Sequence, residues 1–315
     1  MDIRQSELYA KYMQKIGWIV EEVDGVVIFI KRFPLIGSMI KIQRQGLTLS
    51  VKQIDTLVKK YRAWRISLES NTTAIPTKSE GRVEGSPATA SDVRDSSIRP
   101  AGLTRNDIIG NGFTINNSPY LPTKTIRIDL MASEDFFFQR FTETKRRAVR
   151  KAIKNGVIVK ETRDIEEFVK LKSKDFWPLG YFMAKDIKAL WKSFRPNNAI
   201  TLLAYSSNKV RSSRIRSNNM RPIAGILLLF YDNTAYYWMA ASSEEGKKLF
   251  APTLLVWEAL KLAKKKGCKV FDFEGIYDER FHNATKKWQG FTKFKEGFGG
   301  REIIFPTPLV KNRFS

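Results

Sequence analysis

The chain has one cysteine, Cys268, and one histidine, His282, among its 315 residues. A single thiol excludes an internal disulfide and a cysteine-based zinc cluster, which fits a reducing compartment. A single imidazole excludes a histidine-rich metal site. His282 lies in the polar stretch DERFHNATKK and reads as an exposed side chain with no chemical duty. Chemistry here is therefore expected to do without a histidine base. No run approaches the roughly 18 consecutive apolar residues that a membrane-spanning helix needs. The opening MDIRQSELYAKYMQ lacks the apolar core of a signal peptide. A cytoplasmic location is expected.

Acids are also scarce. Fifty-five Lys and Arg face 32 Asp and Glu, a formal net charge of +23. Such an excess attracts nucleic acid, anionic lipid headgroups and phosphorylated substrates, with a basic solubility device as the plain alternative. Hydrophobic residues make up 43% and there are seven Trp, so the chain is globular rather than disordered. Its length allows two domains, each with its own core.

Asp24-Gly25, between two β-rich runs in residues 17–33, predicts a hairpin with a primed turn. A strand over 39–43 follows. Ser50 and Gln53 match a capping box, and Ile54, Leu57, Val58 and Tyr61 share one face of the helix they open. Residues 63–69 return as a strand. From Asn71 to about Arg105 the chain is rich in Ser, Thr, Pro, Gly and charge, which predicts a disordered insertion. KTIRIDL at 124–130 alternates as a strand. Phe141–Asn155 reads as a basic amphipathic helix that stops at Gly156. A short strand at 157–160 and a helix opened by Asp164 and Glu167 come next. The later part predicts a helix over 184–194, strands over 199–205, 222–230 and 235–241, a helix over 252–266 and a strand over 268–273. That order of strand, hairpin, helix and strand is the central unit of a GNAT-like acyltransferase fold. The expected class is α/β with mixed sheets, in two tandem GNAT-like domains. Their expected limits are 1–130, interrupted by the 71–105 insertion, and 131–300, with 301–315 returning to the first domain.

Three segments in order resemble the FemABX family. They are TIRIDL with KRRAVRKAIKNGVIV, then PIAGILLLFYDNTAYYWMAASSEEGKKLFAPTLLVWEAL, then VFDFEGIYDERFHNATKKWQGFTKFKEGFGG. The resemblance runs from about Gly17 to Pro306, apart from the insertion. It implies a non-ribosomal aminoacyltransferase that uses neither metal nor bound organic cofactor. An amino acid would pass from aminoacyl-tRNA to a peptide amine of a peptidoglycan precursor. UDP-MurNAc-pentapeptide and lipid II are both open as that acceptor. A monomer is expected, and contact of surface cations with the inner membrane face stays open. The ester is already activated, so the enzyme's task is to position reactants and stabilise charge.

Lys295 in Phe294-Lys295 matches the family's lysine at the acceptor end of the tRNA, with Phe294 and Phe298 as its anchors. A surface lysine lying over aromatic rings is the alternative. Arg146, Arg147, Arg150 and Lys151 crowd one helix face without an intervening acid, so contact with tRNA phosphates is expected. Arg211, Arg214, Arg216 and Arg221 extend that surface or belong to a flexible loop. Asp272 and Glu274 alternate along a strand and so share a face, where one of them accepts the amine proton or orients the acceptor. A structural role at the strand end is the alternative. Tyr237 is the expected substrate contact in a hairpin that otherwise reads as core or cleft wall. The family's acceptor-pocket residues have no clear match, and Lys31, Lys41 and Arg44 are the cations that could replace them. Two other readings stay open. An acyl-CoA-dependent GNAT-type N-acyltransferase would usually carry a glycine-rich pyrophosphate loop, where SSEEGKKLFAPT stands instead. A non-catalytic RNA-binding protein would explain the charge, but no RNP, KH or zinc signature is present.

Overall fold

The computed structural model describes residues 1–45, 49–71, 111–174, 180–206 and 221–313. Most of the expected insertion, as well as Arg211, Arg214 and Arg216, lies outside the described residues. Contacts divide the chain into two units, Met1–Val20 with Asn117–Ile303 and Glu21–Asn116 with Ile304–Ser315. This division differs from a boundary at residue 130. The unpredicted helix Glu7–Lys15 packs on the helix Gly180–Phe194, and Lys124–Asp129 pairs with Val270–Gly275. Both early segments therefore belong with the later part of the chain.

The smaller unit holds a six-stranded sheet. Its strands are β1 (Ile19–Val23), β2 (Val26–Phe33), β3 (Gly37–Gln45), β4 (Ala63–Ser70) and β5 (Thr114–Ile115), with β13 (Leu309–Asn312) between β4 and β5. Asp24 and Gly25 have φ of 50° and 74°, as a two-residue hairpin turn of primed type requires. The Ser50–Gln53 capping box forms and opens the helix Val51–Lys60. That helix carries the chain from β3 to β4, which pair in parallel. Ile54 and Leu57 are its buried face. β13 runs antiparallel to both of its neighbours.

The larger unit holds a seven-stranded sheet in the order β12-β6-β11-β10-β9-β8-β7. These are β6 (Lys124–Asp129), β7 (Val157–Thr162), β8 (Ala199–Ser206), β9 (Ala224–Tyr231), β10 (Thr234–Ser242), β11 (Val270–Gly275) and β12 (Arg301–Ile304). Every residue of β9 from Ala224 to Phe230 is buried, because helices cover both faces. On one side the helix Ala251–Lys265 packs Leu255, Val256, Ala259 and Leu260 into the core with Phe271 and Phe273. The same helix joins β10 to β11 and makes them parallel neighbours. Two mixed α/β sheets are thus the class expected from the sequence.

Candidate active site

The parallel pair β10 and β11 stays together for only three residues. Thr234, Ala235 and Tyr236 register with Val270, Phe271 and Asp272. Beyond them each strand carries an irregularity. On β10 the register against β9 shifts between Tyr237 and Met239. On β11 the register against β6 shifts between Asp272 and Gly275, and Glu274 sits at φ 60°. That left-handed conformation is uncommon for a residue with a side chain. The Glu274 N–H turns to donate to Asp272 Oδ1 at 2.7 Å. A cavity of ≈ 540 Å³ opens at this point, lined among others by Arg4, Tyr237, Trp238, Glu274, Phe294 and Lys295.

Lys295 comes from the short helix Gln289–Glu296, which the sequence pattern had left unassigned. Thr292 of that helix accepts the Tyr277 N–H at 2.8 Å and ties the helix to the end of β11. Gly275 has no room for a side chain, since a Cβ there would lie 2.8 Å from Trp288 and 2.9 Å from Pro122. Lys295 is only 7% exposed. Its Nζ donates to the carbonyls of Phe273 and Gly275, at 2.8 and 2.6 Å, on either side of Glu274. An ammonium has three N–H groups, so one is left for the cavity that Lys295 lines. The rings of Phe291 and Tyr237 lie 4.8 and 5.7 Å from the ammonium. Burial pulls its pKa down to about 8, against the attraction of Glu274 and Asp272. Lys295 is therefore a buried lysine and not the surface side chain of the alternative reading. Its anchors also differ in part: Phe294 lines the cavity, whereas Phe298 is core and packs on Phe141 and Phe273.

Asp272 and Glu274 do not share a free face, because the left-handed residue breaks the strand's alternation. Asp272 is 3% exposed, and its oxygens accept from Thr125 Oγ1 at 2.6 Å, Arg127 Nε at 2.7 Å and the Glu274 N–H. It holds β11 to β6. Glu274 reaches the cavity with one oxygen held by Arg4 Nη2 at 2.6 Å. Burial pushes its carboxyl up, and the pull of the Arg4 guanidinium opposes this. Arg4 was not foreseen as a site residue. It is buried, is held also by Asp2, and lies 5.0 Å from the Trp238 ring. Nothing in residues 1–5 marks it, since its partner is 270 positions away.

Tyr237 packs on Phe271 and Phe273 and lines the cavity, and burial pushes its phenol far above the ordinary range. The basic helix forms as Glu143–Lys154. Arg147, Arg150 and Lys151 are exposed on it. Arg146 is used locally, donating to the carbonyls of Gln139 and Phe141 at 2.6 and 3.0 Å. That bond takes it out of the expected phosphate surface. Lys145 turns inward over Phe294 at 3.9 Å, and burial lowers its pKa to about 8. In the smaller unit, Lys31 and Lys41 stand opposite Met39 and Phe29, so they share one sheet face. Arg44 is buried at φ 56° and stacks on Phe305 at 3.4 Å, which places it in packing rather than in an open pocket. His282 is exposed and hydrogen-bonds the Tyr277 hydroxyl at 3.0 Å. Among the described residues no group of three His, Cys, Asp or Glu could hold a metal ion. Nor is any helix among them long and apolar enough to cross a membrane.

The family model described as the FemAB family matches residues 197–304, the stretch that carries β8 to β12 and most of the cavity wall. No curated protein matches by sequence. Among solved structures, FemX superposes with a TM-score of 0.68 at 15% identity, over 99% of this chain and 92% of that one. The L-PGS structure from Bacillus licheniformis superposes at 0.56 with 11% identity, over 96% of this chain and 87% of that one. A DUF2156 domain from Agrobacterium fabrum also superposes at 0.56 with 11% identity, over 98% and 89%. The FemAB match thus lies on the cavity-bearing segment, and the fold of FemX extends over nearly the whole chain.

Proposed function

We propose that this protein is an aminoacyltransferase that takes an amino acid from aminoacyl-tRNA and joins it to a peptide amine of a peptidoglycan precursor. The observation that carries the reading is the buried Lys295 ammonium, which faces a cavity where two parallel strands part. The FemAB match covers these strands and this lysine.

In the proposed reaction the acceptor amine attacks the ester carbonyl. The new C–N bond forms, and the bond from that carbon to the ribose oxygen breaks. The proton leaving the amine ends on the ribose oxygen. Negative charge develops on oxygen along this path, first at the carbonyl and then at the leaving ribose. Lys295 is suited to meet it because its ammonium is fixed before the reaction by two backbone carbonyls, so no reorganisation is needed. The aromatic rings around it keep water away and strengthen the interaction. Neither carboxylate expected to act as a base is well placed for that work. Asp272 is buried and already accepts three hydrogen bonds, and Glu274 is held by Arg4. Glu274 is better suited to orient a cationic amine through its remaining oxygen.

An acyl-CoA donor is less well served. Between β10 and the helix Ala251–Lys265 stands a short helix, Glu244–Lys248, with two acids in its first turn. The longer helix begins with Pro at N1/N2, which removes one backbone donor from a pyrophosphate seat. Mass spectrometry of precursors incubated with charged tRNA, or with acetyl-CoA, decides between the donors. Transfer from acetyl-CoA alone would remove the reading.

Two expectations follow from the charges. Lys295 carries its proton below about 8. Turnover at saturating substrates should therefore fall as pH rises through that value, and Lys295→Met should lack this limb. Ala at Arg147, Arg150 and Lys151 should weaken tRNA binding. The slope of log K against log salt should flatten by about two to three, by analogy with duplex DNA. Unchanged affinity and slope would make this helix face a solvated surface only.

A further inference from the structure

Pro34, Leu35 and Ile36 join β2 to β3 at the tip of a hairpin. Leu35 is 107% exposed, more than any other large apolar residue among the described residues, and Ile36 beside it is 65% exposed. Leu35 also sits at φ 68°, in the left-handed region that a leucine rarely adopts. Strain of this kind persists only where the surroundings impose it, and it is a reason to look for a use. Here the surroundings are well defined. The Ile36 N–H donates to the Pro34 carbonyl at 2.9 Å. Ser38 Oγ donates to the Tyr61 carbonyl at 2.8 Å, and its N–H to the Arg62 carbonyl at 3.3 Å. A Cβ on Gly37 would come within 2.3 Å of that Arg62 oxygen, so only glycine lets the hairpin lie against the Tyr61–Arg62 turn. The tip is braced, and it presents two aliphatic side chains to water.

The flanks are cationic and aromatic. Arg32, Lys59 and Arg62 are exposed. Arg32 lies 5.9 Å from the Tyr61 ring, and Phe33 packs on Trp64 at 6.4 Å. The two stretches that form the tip and its brace, KRFPLIG at 31–37 and KKYRAW at 59–64, contain no acid.

We infer that this hairpin tip docks the protein on an anionic membrane surface, with Leu35 and Ile36 entering the acyl region and Arg32 and Arg62 meeting lipid phosphates. Aliphatic tips with Tyr, Trp and basic residues at headgroup level are the division of labour that a bilayer interface rewards. A protein partner fits less well. Two protruding side chains offer far less than the roughly 800 Å² per partner of a standard interface. They suit a soft medium that can close around them. The inference is independent of the proposed reaction, since it concerns residues that do not line the cavity.

Co-sedimentation of the full chain with vesicles tests it, using phosphatidylcholine alone and an equimolar mixture with phosphatidylglycerol. The wild type should bind the anionic vesicles, more weakly as salt rises, and should bind the neutral ones poorly. L35N/I36S should bind about a hundredfold more weakly, about tenfold for each aliphatic side chain withdrawn from hydrocarbon. Asparagine tolerates the left-handed conformation, so the variant should melt no lower than the wild type. R32Q/R62Q should lose about fivefold for each charge and show a flatter salt dependence. Equal binding by wild type and L35N/I36S would assign any attraction to the net charge of the chain and overturn the inference. Failure of the wild type to bind anionic vesicles would overturn it as well.

Discussion

Lys295→Met is expected to lower single-turnover transfer from saturating charged tRNA by about two to three orders of magnitude, the effect of removing one oxyanion donor. Methionine fills much of the lysine's volume and carries no charge to desolvate, so the fold should survive. Lys295→Ala is a less clean probe than an exposed lysine would have given. It would empty part of a buried site, besides leaving the carbonyls of Phe273 and Gly275 without their donor as methionine also does. An unsatisfied buried acceptor costs about 1–3 kcal/mol. Lys295→Arg should recover little, because a planar fork cannot place charge where the ammonium stood between these carbonyls. Acceptor affinity should change little in Lys295→Met. Near-normal single turnover in a folded Lys295→Met would remove Lys295 from the mechanism. Loss of acceptor binding together with turnover would make it a substrate-binding group instead.

Asp272→Ala is expected to act on stability. Asp272 is buried but Arg127 is 28% exposed, so losing this pair should cost less than the roughly 3–5 kcal/mol of a fully buried one. Here the carboxylate also holds Thr125 and the Glu274 N–H, so the bend that presents Glu274 should loosen with it. Asp272→Asn keeps the shape and an acceptor oxygen. It should cost less and keep turnover near that of the wild type. Denaturant titration of the two variants checks the order. If Asp272→Asn were fully stable yet inactive, Asp272 would be a reacting group rather than a structural one.

The parts of the fold that were legible in the sequence are those fixed by local chemistry. Asp24-Gly25 has the residues a primed turn demands, Ser50 and Gln53 satisfy each other's backbone donors, and Gly156 follows the last turn of the basic helix. The helix Glu7–Lys15 went unread because its buried face comprises only Tyr9 and Met13, too few to set a period. Of the residues singled out in the sequence, Tyr237, Glu274, Phe294 and Lys295 line the candidate cavity. Alternation placed Asp272 and Glu274 on one face, but alternation assumes extended backbone, and Glu274 is left-handed. Charge clustering placed Arg146 on a phosphate surface, although the nearest unsatisfied carbonyls belonged to its own chain. Arg4 could not be found by any local rule, because its role comes from a partner on a distant strand.

The position of β13 in the smaller sheet bears on how the protein is made. Its strands β4 and β5 flank a gap that only residues 309–312 fill, and those residues are translated after all of Asn117–Ile303. A ribosome that has just reached residue 303 has already supplied every strand of the seven-stranded sheet except the last residue of β12, while the other sheet still exposes an unpaired edge on β4. Vectorial synthesis therefore completes the cavity-bearing unit first, and during that interval β4 is the edge to which a chaperone or another nascent chain would have access.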